Sequence, residues 1–370
     1  MLIPQIGGAM RIAYYAPLKS PDHPVPSGDR QMARMLKAAL ELAGNEVDLA
    51  SRFRSFSANP TAESHAAALT EVEREIARLS ALWKTGKKPD LWFCYHPYYK
   101  APDLLGPALS ARFAIPYVTA EASYSARRNI GIWAENQARL ADVVRRAALN
   151  ICFTRRDSDG LAEIAPQARF ELLPPFIDAS AFAAPPPAAD PSRLVAVGMM
   201  RPGDKMESYR MLARALERLV HLPWRLSVIG DGLCRAEVEA EFSRIPPERI
   251  EWLGEKPPAE VPSLLRGAGV YVWPGCGEAY GLAYLEAQAA GLPVVAQEIA
   301  GVPEVVRHGT TGLLTPPGDI AAYAAAVERL LTNEAERQKL GAAARRFVLD
   351  ERSLDAAARR LAAILPEART

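Results

Sequence analysis

Short apolar runs alternate with helical segments along the first half of the chain, and this alternation is the feature that most limits the fold. The apolar runs occupy residues 11–15, 46–50, 91–95, 116–119 and 150–153. The helical segment at residues 30–43 has one apolar face, and Gly44 follows it as a C-terminal cap. Strands that alternate with helices form parallel sheets covered by helices on both faces. The sequence therefore predicts a doubly wound α/β fold.

A proline-rich break divides the chain. Residues 174–175 are both proline, and the stretch AAPPPAADPS at 183–192 excludes a continuing helix. The alternation then resumes, with strand-like runs at residues 194–197, 225–229, 250–253, 270–273 and 294–296. A length of 370 residues suits two domains that each bury a core. We predict a first Rossmann-like domain at 1–180, a linker at 181–192, a second Rossmann-like domain at 193–352, and a C-terminal helix at 353–370 that packs back on the first domain.

Charge and cysteine content bear on partners and location. Lys and Arg number 44 against 43 Asp and Glu, so the net charge of +1 gives no electrostatic reason to expect a nucleic acid partner. The cysteines form no C-x-x-C pair, which predicts reduced thiols and a cytoplasmic location; they are Cys94, Cys152, Cys234 and Cys276. The N-terminal MLIPQIGGAM lacks the charged and apolar regions of a signal peptide. No run of about 18 apolar residues predicts a membrane span.

Three predicted strand-to-helix turns in the second half have an unusual composition. They are VGMMRPGDK at 197–205, IGDG at 229–232 and WPGCGEAYGLAYLEA at 273–287. Ligands of open parallel sheets bind at the carboxyl ends of the strands, where such turns lie. In the third turn, Gly281 precedes a predicted helix at residues 282–290, and the free N–H groups at the start of a helix favour an anion such as phosphate.

Glu278 and Glu286 lie on either side of Gly281, eight positions apart. Glycoside hydrolysis uses a pair of carboxylates, one as acid and the other as nucleophile or base. Solvated surface carboxylates are the ordinary alternative. The spacing alone does not decide between these interpretations.

The same region resembles retaining GT-B glycosyltransferases, in particular glycosyltransferase family 4 of the group 1 type. The resemblance rests on GEAYGLAYLE at 277–286 and on AGLPVVAQEIAGVPEVVRHGTTGLLTPPGD shortly after it. Further matches are LLPPFIDASAF, VGMMRPGDK, VIGDG and IEWLGEKPPAEVPSLLRGAGVYVWPG. It covers roughly the whole chain and is specific in the second domain. It implies two Rossmann-like domains facing each other across a cleft, with the donor held by the second domain and the acceptor by the first.

The resemblance also implies roles for particular residues. Glu278, Lys205 and Arg201 are the catalytic candidates: Glu278 positions the donor sugar, while Lys205 and Arg201 neutralise the departing diphosphate. Glu286 binds the ribose hydroxyls, and the amides at Gly281 to Ala283 take the diphosphate. The remaining predicted nucleotide-sugar contacts fall in the turns of both domains: Gly28, Gly230, Asp231, Gly254, Lys256, Tyr280, Gly281, Leu282 and Ala283. No bound cofactor is implied, and the co-substrate is a nucleoside diphosphate sugar of the UDP or GDP type.

The sequence departs from the family pattern at three points. Met199 stands where the family has an Arg, and Ser27-Gly28-Asp29 replaces the paired glycines of the first strand-to-helix loop. The turn after residues 116–119 carries Glu121 and Ser123 where the family has a histidine, and His96 ends an earlier strand. We predict that His96, Glu121 and Ser123 line the acceptor side. Several members of the family act on lipid-linked acceptors, so weak peripheral contact with a membrane stays open.

A D-x-D pattern at Asp157-Ser158-Asp159 is typical of metal-dependent transferases. It directly precedes the helical segment LAEIA, where Asp and Ser serve as N-caps, and we interpret it as a cap. The family resembled here is not built around a metal ion. We therefore predict no metal site.

Other functions on similar folds remain as alternatives. A sugar-nucleotide 2-epimerase would convert a donor without any acceptor, and a non-catalytic sensor would bind a nucleotide sugar without turnover. A Rossmann dehydrogenase is disfavoured because the first turn lacks G-x-G-x-x-G. Two domains joined by a linker also predict closure over a bound donor.

Overall fold

The computed structural model describes residues 8–25, 27–86, 88–184 and 189–369, with the backbone alone at Ala62, Ile132 and Arg369. MLIPQIG at the N-terminus and residues 185–188 of the predicted linker lie outside the described residues. The chain divides into two units, Met1–Pro174 with Leu354–Thr370 and Pro175–Ser353.

The first unit is built on a six-stranded parallel sheet. Its strands are β1 (Arg11–Tyr15), β2 (Glu46–Leu49), β3 (Leu91–Tyr95), β4 (Tyr117–Ala120), β5 (Leu149–Cys152) and β6 (Phe170–Leu172). The helices between them are α1 (Gly28–Leu42), α2 (Ala62–Lys84), α3 (Gly106–Phe113), α4 (Ile132–Arg146) and α5 (Arg155–Ile164). The strand order is β2-β1-β3-β4-β5-β6, so the order reverses beside β1.

The second unit repeats this plan with another six-stranded parallel sheet. Its strands are β7 (Arg193–Val197), β8 (Arg225–Ile229), β9 (Ile250–Gly254), β10 (Val270–Val272), β11 (Val294–Gln297) and β12 (Gly312–Thr315). Its helices are α6 (Asp204–Glu217), α7 (Arg235–Glu241), α8 (Val261–Arg266), α9 (Leu282–Ala289), α10 (Val302–Val305), α11 (Ile320–Thr332) and α12 (Glu334–Glu351). The order β12-β11-β10-β7-β8-β9 reverses beside β7.

A last helix, α13 (Leu354–Ile364), belongs to the first unit and packs along α1. Its Arg360 donates to the carbonyl of Leu172 at 3.1 Å and forms an ion pair with Glu171 at 2.6 Å, which holds it at β6. Single 3₁₀ turns occur at Ala126–Arg128, Ser180–Phe182, Pro247–Arg249 and Pro366–Arg369.

The predicted strand and helix ends differ from the structure by one or two residues. Helix α1 begins at Gly28 rather than at residue 30, because the Ser27 side chain accepts the N–H of Arg30 as an N-cap. The sequence also missed β6 and β12, which are short and which begin beside polar or glycine-rich turns. Both are outer strands of their sheets, where a short segment pairs on one side only.

The interpretation of Asp157, Ser158 and Asp159 as the N-cap of a helix is wrong. Helix α5 begins earlier, and its cap is Thr154, whose hydroxyl accepts the N–H of Asp157 at 3.1 Å. The same hydroxyl donates to the Asp157 carboxylate at 2.7 Å. The acidic residues therefore lie inside the first two turns, where Asp157 supports the cap and favours the helix dipole.

A buried carboxylate organises the turn between β3 and α3. Asp103 is 5% exposed and accepts hydrogen bonds from the Trp92 indole at 2.8 Å and the Tyr117 hydroxyl at 2.7 Å. Its other oxygen accepts the backbone N–H groups of Leu105 and Gly106 at 2.9 and 2.8 Å. Four donors compensate the cost of burying this group and fix the start of α3.

Candidate active site

The point where the strand order reverses in the second sheet lies between β7 and β10. Lys205 is the second residue of α6, which follows β7, and Glu278 lies in the turn after β10; their side chains form an ion pair with Nζ 2.5 Å from Oε2. Both side chains are largely buried, at 17% and 20% exposed. The ammonium of Lys205 also lies 5.3 Å from the centre of the Trp273 ring. In an open parallel sheet this reversal is where ligands bind, so a charged pair there is a candidate site.

Glycines let the turns after β7 and β8 lie against each other. Gly230 has φ +143° and Gly232 has φ +154°. A Cβ on Gly230 would meet the Gly198 carbonyl oxygen at 1.9 Å, and one on Gly232 would meet the Met200 carbonyl oxygen at 2.2 Å. The N–H of Met200 donates to the Asp231 carbonyl at 2.9 Å, and that of Gly230 to the Gly254 carbonyl at 2.8 Å. Backbone alone thus joins three neighbouring turns.

The turn after β10 leads into α9 through three glycines with positive φ, Gly275, Gly277 and Gly281. A Cβ on Gly277 would meet the Asp204 carboxylate at 2.3 Å, and one on Gly281 would meet the Tyr284 ring at 2.7 Å. At Gly281 the buried Tyr284 ring excludes a side chain, whereas at Gly277 the positive φ is the stronger reason for a glycine because the Asp204 side chain is exposed. Gly281 is the N-cap of α9 and provides no side-chain cap.

The helix start at α9 is open to a ligand. Gly281, Leu282 and Ala283 are each partly exposed, and the first N–H groups of a helix have no partner within it. Glu286 and Tyr280 are also partly exposed, with Glu286 in the second turn. This start lies next to the Lys205–Glu278 pair, so a cation and helix-start amides occupy neighbouring positions.

Buried tyrosines bind the strand ends of the second sheet, a feature that the sequence analysis missed. Tyr209 donates to the Gly198 carbonyl at 2.6 Å and Tyr284 to the Trp273 carbonyl at 3.1 Å, each directly after a strand, whereas Tyr323 donates to Val295 within β11 at 3.0 Å. Burial, and secondarily the charge of Glu278, raise the pKa of Tyr284 well above its usual range, so it stays a donor. The tyrosines give the edge rigid support under the candidate site.

The other residues predicted to bind the nucleotide sugar lie outside the Lys205–Glu278 pair. Arg201 is exposed in the turn before α6, and among the described residues its side chain has no ion pair. Asp231 accepts the Gly232 N–H and pairs with Arg235 at 2.8 Å; these two contacts lower the pKa of its carboxyl. Gly254 has φ +70°, and Lys256, two residues on, is partly exposed.

The first sheet reverses its strand order between β1 and β3, and side chains meet there too. His96 directly follows β3, and its Nδ1 lies 3.3 Å from Oδ1 of Asp29, in the first turn of α1. Glu121 directly follows β4, and the N–H of Ser123 donates to the Pro97 carbonyl at 3.2 Å. The predicted residues His96, Glu121 and Ser123 therefore share one edge. Gly28 has open space where a Cβ would stand, so packing within the chain does not require a glycine there.

Two negative results concern the described residues alone. Within the described ranges, no group of three or more His, Cys, Asp or Glu side chains is arranged to hold a metal ion. None of the helices in this part of the chain is long and apolar enough to cross a membrane.

Comparison with known proteins agrees with the geometry. The profile of the family described as "Glycosyl transferases group 1" matches residues 191–333. The D-inositol 3-phosphate glycosyltransferase of Corynebacterium diphtheriae is 41% identical over 96 residues, which cover 26% of this chain but only 22% of that relative. The protein of the same name from Kribbella flavida is 28% identical over 305 residues, covering 75% of this chain and 71% of the relative.

Solved structures share the architecture. Sucrose-phosphate synthase from Thermosynechococcus elongatus gives a TM-score of 0.73 at 20% identity, covering 97% of this chain and 98% of that one. HepE from Anabaena in complex with UDP gives 0.72 at 16% identity, covering 96% and 100%. The fold is GT-B, as predicted.

The matched domain and the named relatives are those of glycosyltransferases, the class of enzyme that the sequence predicts. Within the class, residues 191–333 are similar to the glycosyltransferase group 1 family. Assignment to family 4 and retention of anomeric configuration stay predictions.

Proposed function

We propose that the protein is a retaining glycosyltransferase of family 4, which moves a sugar from a nucleoside diphosphate sugar to an acceptor hydroxyl. The observation that carries the proposal is the Lys205–Glu278 pair at the strand reversal of the second sheet, beside the start of α9. A lysine and helix-start N–H groups suit a diphosphate.

In this proposal each predicted donor residue has one task. Glu278 positions the donor sugar, and Lys205 exchanges part of its contact with Glu278 for the diphosphate. Arg201, which is exposed, adds a second positive charge from the same turn. Glu286 binds the ribose hydroxyls, and the turns at Gly230, Gly254 and their neighbours meet the nucleoside.

The chemistry needs no nucleophile from the protein. The bond between the anomeric carbon and the diphosphate oxygen breaks, and a bond from that carbon to the acceptor oxygen forms on the same face. The acceptor proton passes to the departing diphosphate. Negative charge develops on the leaving group, so fixed donors and cations aimed at it lower the barrier.

The relatives suggest which donors and acceptors to test first. HepE has been solved with UDP and with UDP-glucose, which places UDP-sugars first in a donor panel, ahead of GDP-sugars. The acceptor is a glycan, a lipid or a small molecule with a free hydroxyl. D-inositol 3-phosphate, named in the curated relatives, is the first small molecule to try.

The test is thermal unfolding of the full chain with a panel of UDP- and GDP-sugars, followed by turnover assays. We expect one donor class to raise the Tm of the wild type, and K205M and E278Q to lose most of that rise. Lys37 pairs with Glu41 on α1 in the first unit, so K37M is the matched control and should respond like the wild type. If no nucleotide sugar raises the Tm, the proposal is wrong.

Product analysis separates the alternatives. A donor that is converted to its epimer without any acceptor would identify a sugar-nucleotide epimerase. A donor that binds but is never consumed with any acceptor would identify a sensor. A cytoplasmic location and weak peripheral membrane contact stay predictions, and sedimentation with anionic vesicles tests the second.

A further inference from the structure

Asp29 and His96 meet where the strand order of the first sheet reverses. Asp29 is the second residue of α1, and His96 is the residue directly after β3. Oδ1 of Asp29 lies 3.3 Å from Nδ1 of His96. The His96 side chain is 20% exposed, so the imidazole is largely removed from water. Nδ1 is buried and makes no hydrogen bond to any described residue, so the contact is an ion pair in which the carboxylate acts on the imidazole through its charge.

The backbone holds His96 in a conformation that a non-glycine residue rarely adopts. His96 has φ +56°, and Glu121, which directly follows the neighbouring strand β4, also has φ +56°. The N–H of His96 donates to the Ala120 carbonyl at 2.8 Å, and the N–H of Glu121 to the Ile151 carbonyl at 2.8 Å. Two adjacent strands therefore end in the same strained turn, each presenting an ionisable side chain.

Negative groups from three elements surround the imidazole. They are Glu121 after β4, Asp29 on α1 and Asp157 on α5. The Tyr98 ring stacks on the imidazole at 5.1 Å, and two cations act on its neighbours, Lys19 on Asp29 and Arg54 on Tyr98. Burial opposes protonation of His96, but the carboxylates outweigh it and raise the pKa of the imidazole. His96 in turn lowers the pKa of Asp29 against the effect of burial.

We infer that Asp29 is a positioning residue, which holds Nδ1 of His96 beside its own carboxylate and leaves Nε2 to donate a hydrogen bond to the acceptor. The part of the inference that concerns the acceptor rests on the proposed function. The contact between Asp29 and His96 does not depend on it. Asp29 itself faces His96 rather than the reaction.

The protonation state limits what His96 does. The carboxylates favour the doubly protonated imidazole over the neutral one, and the doubly protonated form donates from both nitrogens. With Nδ1 directed to Asp29, Nε2 is the remaining donor. Carboxyl groups from three elements act on the single imidazole. A cluster rich in carboxyl groups with one donor suits an uncharged, hydroxyl-bearing part of the acceptor and disfavours a phosphate at this point.

The test is NMR titration of the histidine imidazoles in the full chain without any ligand. The chain has five histidines, and the spectrum of H96Q assigns the signal of His96. We expect its midpoint to fall by about one pH unit in D29N, since a carboxylate at this range shifts a histidine by that order. Asp142 pairs with Arg146 on the surface of α4 in the same unit, so D142N removes the same charge and should leave the midpoint unchanged.

The outcomes are separable from the proposed function because no donor or acceptor is present. An unchanged midpoint in D29N, or an equal fall in D142N, would overturn the inference. If D29N does not fold, E121Q serves instead and should also lower the midpoint, and an unchanged value there would overturn it as well. Addition of inorganic phosphate should leave the NMR signal of His96 unshifted. A shift that saturates with phosphate concentration would contradict the inference that an uncharged group binds beside His96.

Discussion

Both sheets reverse their strand order beside their first strand, but different chemical groups lie at the two reversals. In the second sheet, glycines with positive φ and backbone hydrogen bonds join the turns, and one ion pair, Lys205–Glu278, stands between them. In the first sheet the corresponding strained positions are His96 and Glu121, which keep their side chains. A backbone-built edge suits a group common to many donors, such as a diphosphate. An edge built from side chains changes with single substitutions, as an acceptor site must.

Substitution of Gly230 has the largest expected effect on the unfolding free energy, and it tests whether the second sheet depends on close backbone approach. In G230A the new Cβ would meet the Gly198 carbonyl at 1.9 Å in a backbone conformation that favours glycine, so we expect a loss of at least about 3 kcal/mol of unfolding free energy. Gly203 also has positive φ but open space, so G203A should cost only about 1 kcal/mol. Urea unfolding measures both. Equal losses would mean that close backbone approach is not what the second edge depends on.

The next effect concerns Asp103, which accepts four hydrogen bonds in the turn from β3 to α3. In D103N an amide replaces an acceptor oxygen and faces donors, so we expect a loss of about 2–3 kcal/mol. Asp90 is exposed and accepts one N–H, from Arg11 at 2.8 Å, so D90N is the control and should lose less than about 1 kcal/mol. The difference in unfolding free energy would show how far the first unit relies on side-chain networks.

A smaller effect is a pH dependence confined to the first edge. The raised pKa of His96 contributes stability that is fully present below the unfolded value of about 6.5 and is lost as the pH rises through the folded value. The Tm advantage of the wild type over H96Q should therefore shrink by about 2 °C between about pH 6 and pH 9. Calorimetry at fixed ionic strength measures it. A Tm advantage of the wild type that grows with pH would show that folding lowers the pKa of His96 instead of raising it.

The smallest effect is expected away from both reversals. Arg146 and Asp142 form an ion pair at 2.8 Å on α4, with side chains 78% and 51% exposed. Water and salt screen such a pair, so R146A should change the unfolding free energy by less than about 0.5 kcal/mol. A cost comparable with that of G230A would show that ion pairs at the reversals are not distinguished by their position.

Sequence reasoning anticipated the fold and part of the candidate site for identifiable reasons. Apolar runs that alternate with helices predict two parallel sheets, and both are present. The candidate donor positions Lys205 and Glu278 belong to motifs read from the chain, and the structure brings these two side chains together. Local patterns were sufficient there, because strand-to-helix turns of a parallel sheet converge on one edge.

The remainder depended on contacts between distant parts of the chain. Asp29 was read as a loop residue because the cap at Ser27 was not recognised, and its contact with His96 joins segments that are distant in sequence, with β2 and α2 between them along the chain. The tyrosine hydroxyls that bind strand ends follow only from tertiary packing. Strand β6 has three partly buried residues, which is too short for a periodic signal.

The return of α13 to the first unit has a consequence for biosynthesis. Helix α1 packs against α13, yet residues 175–353 lie between the two along the chain. On the ribosome, the surface of α1 that packs against α13 lacks this partner until the whole second unit has been translated. The second unit has its complete sequence before that partner arrives, so a chaperone that protects α1 during this interval would be released only after residue 364 has emerged.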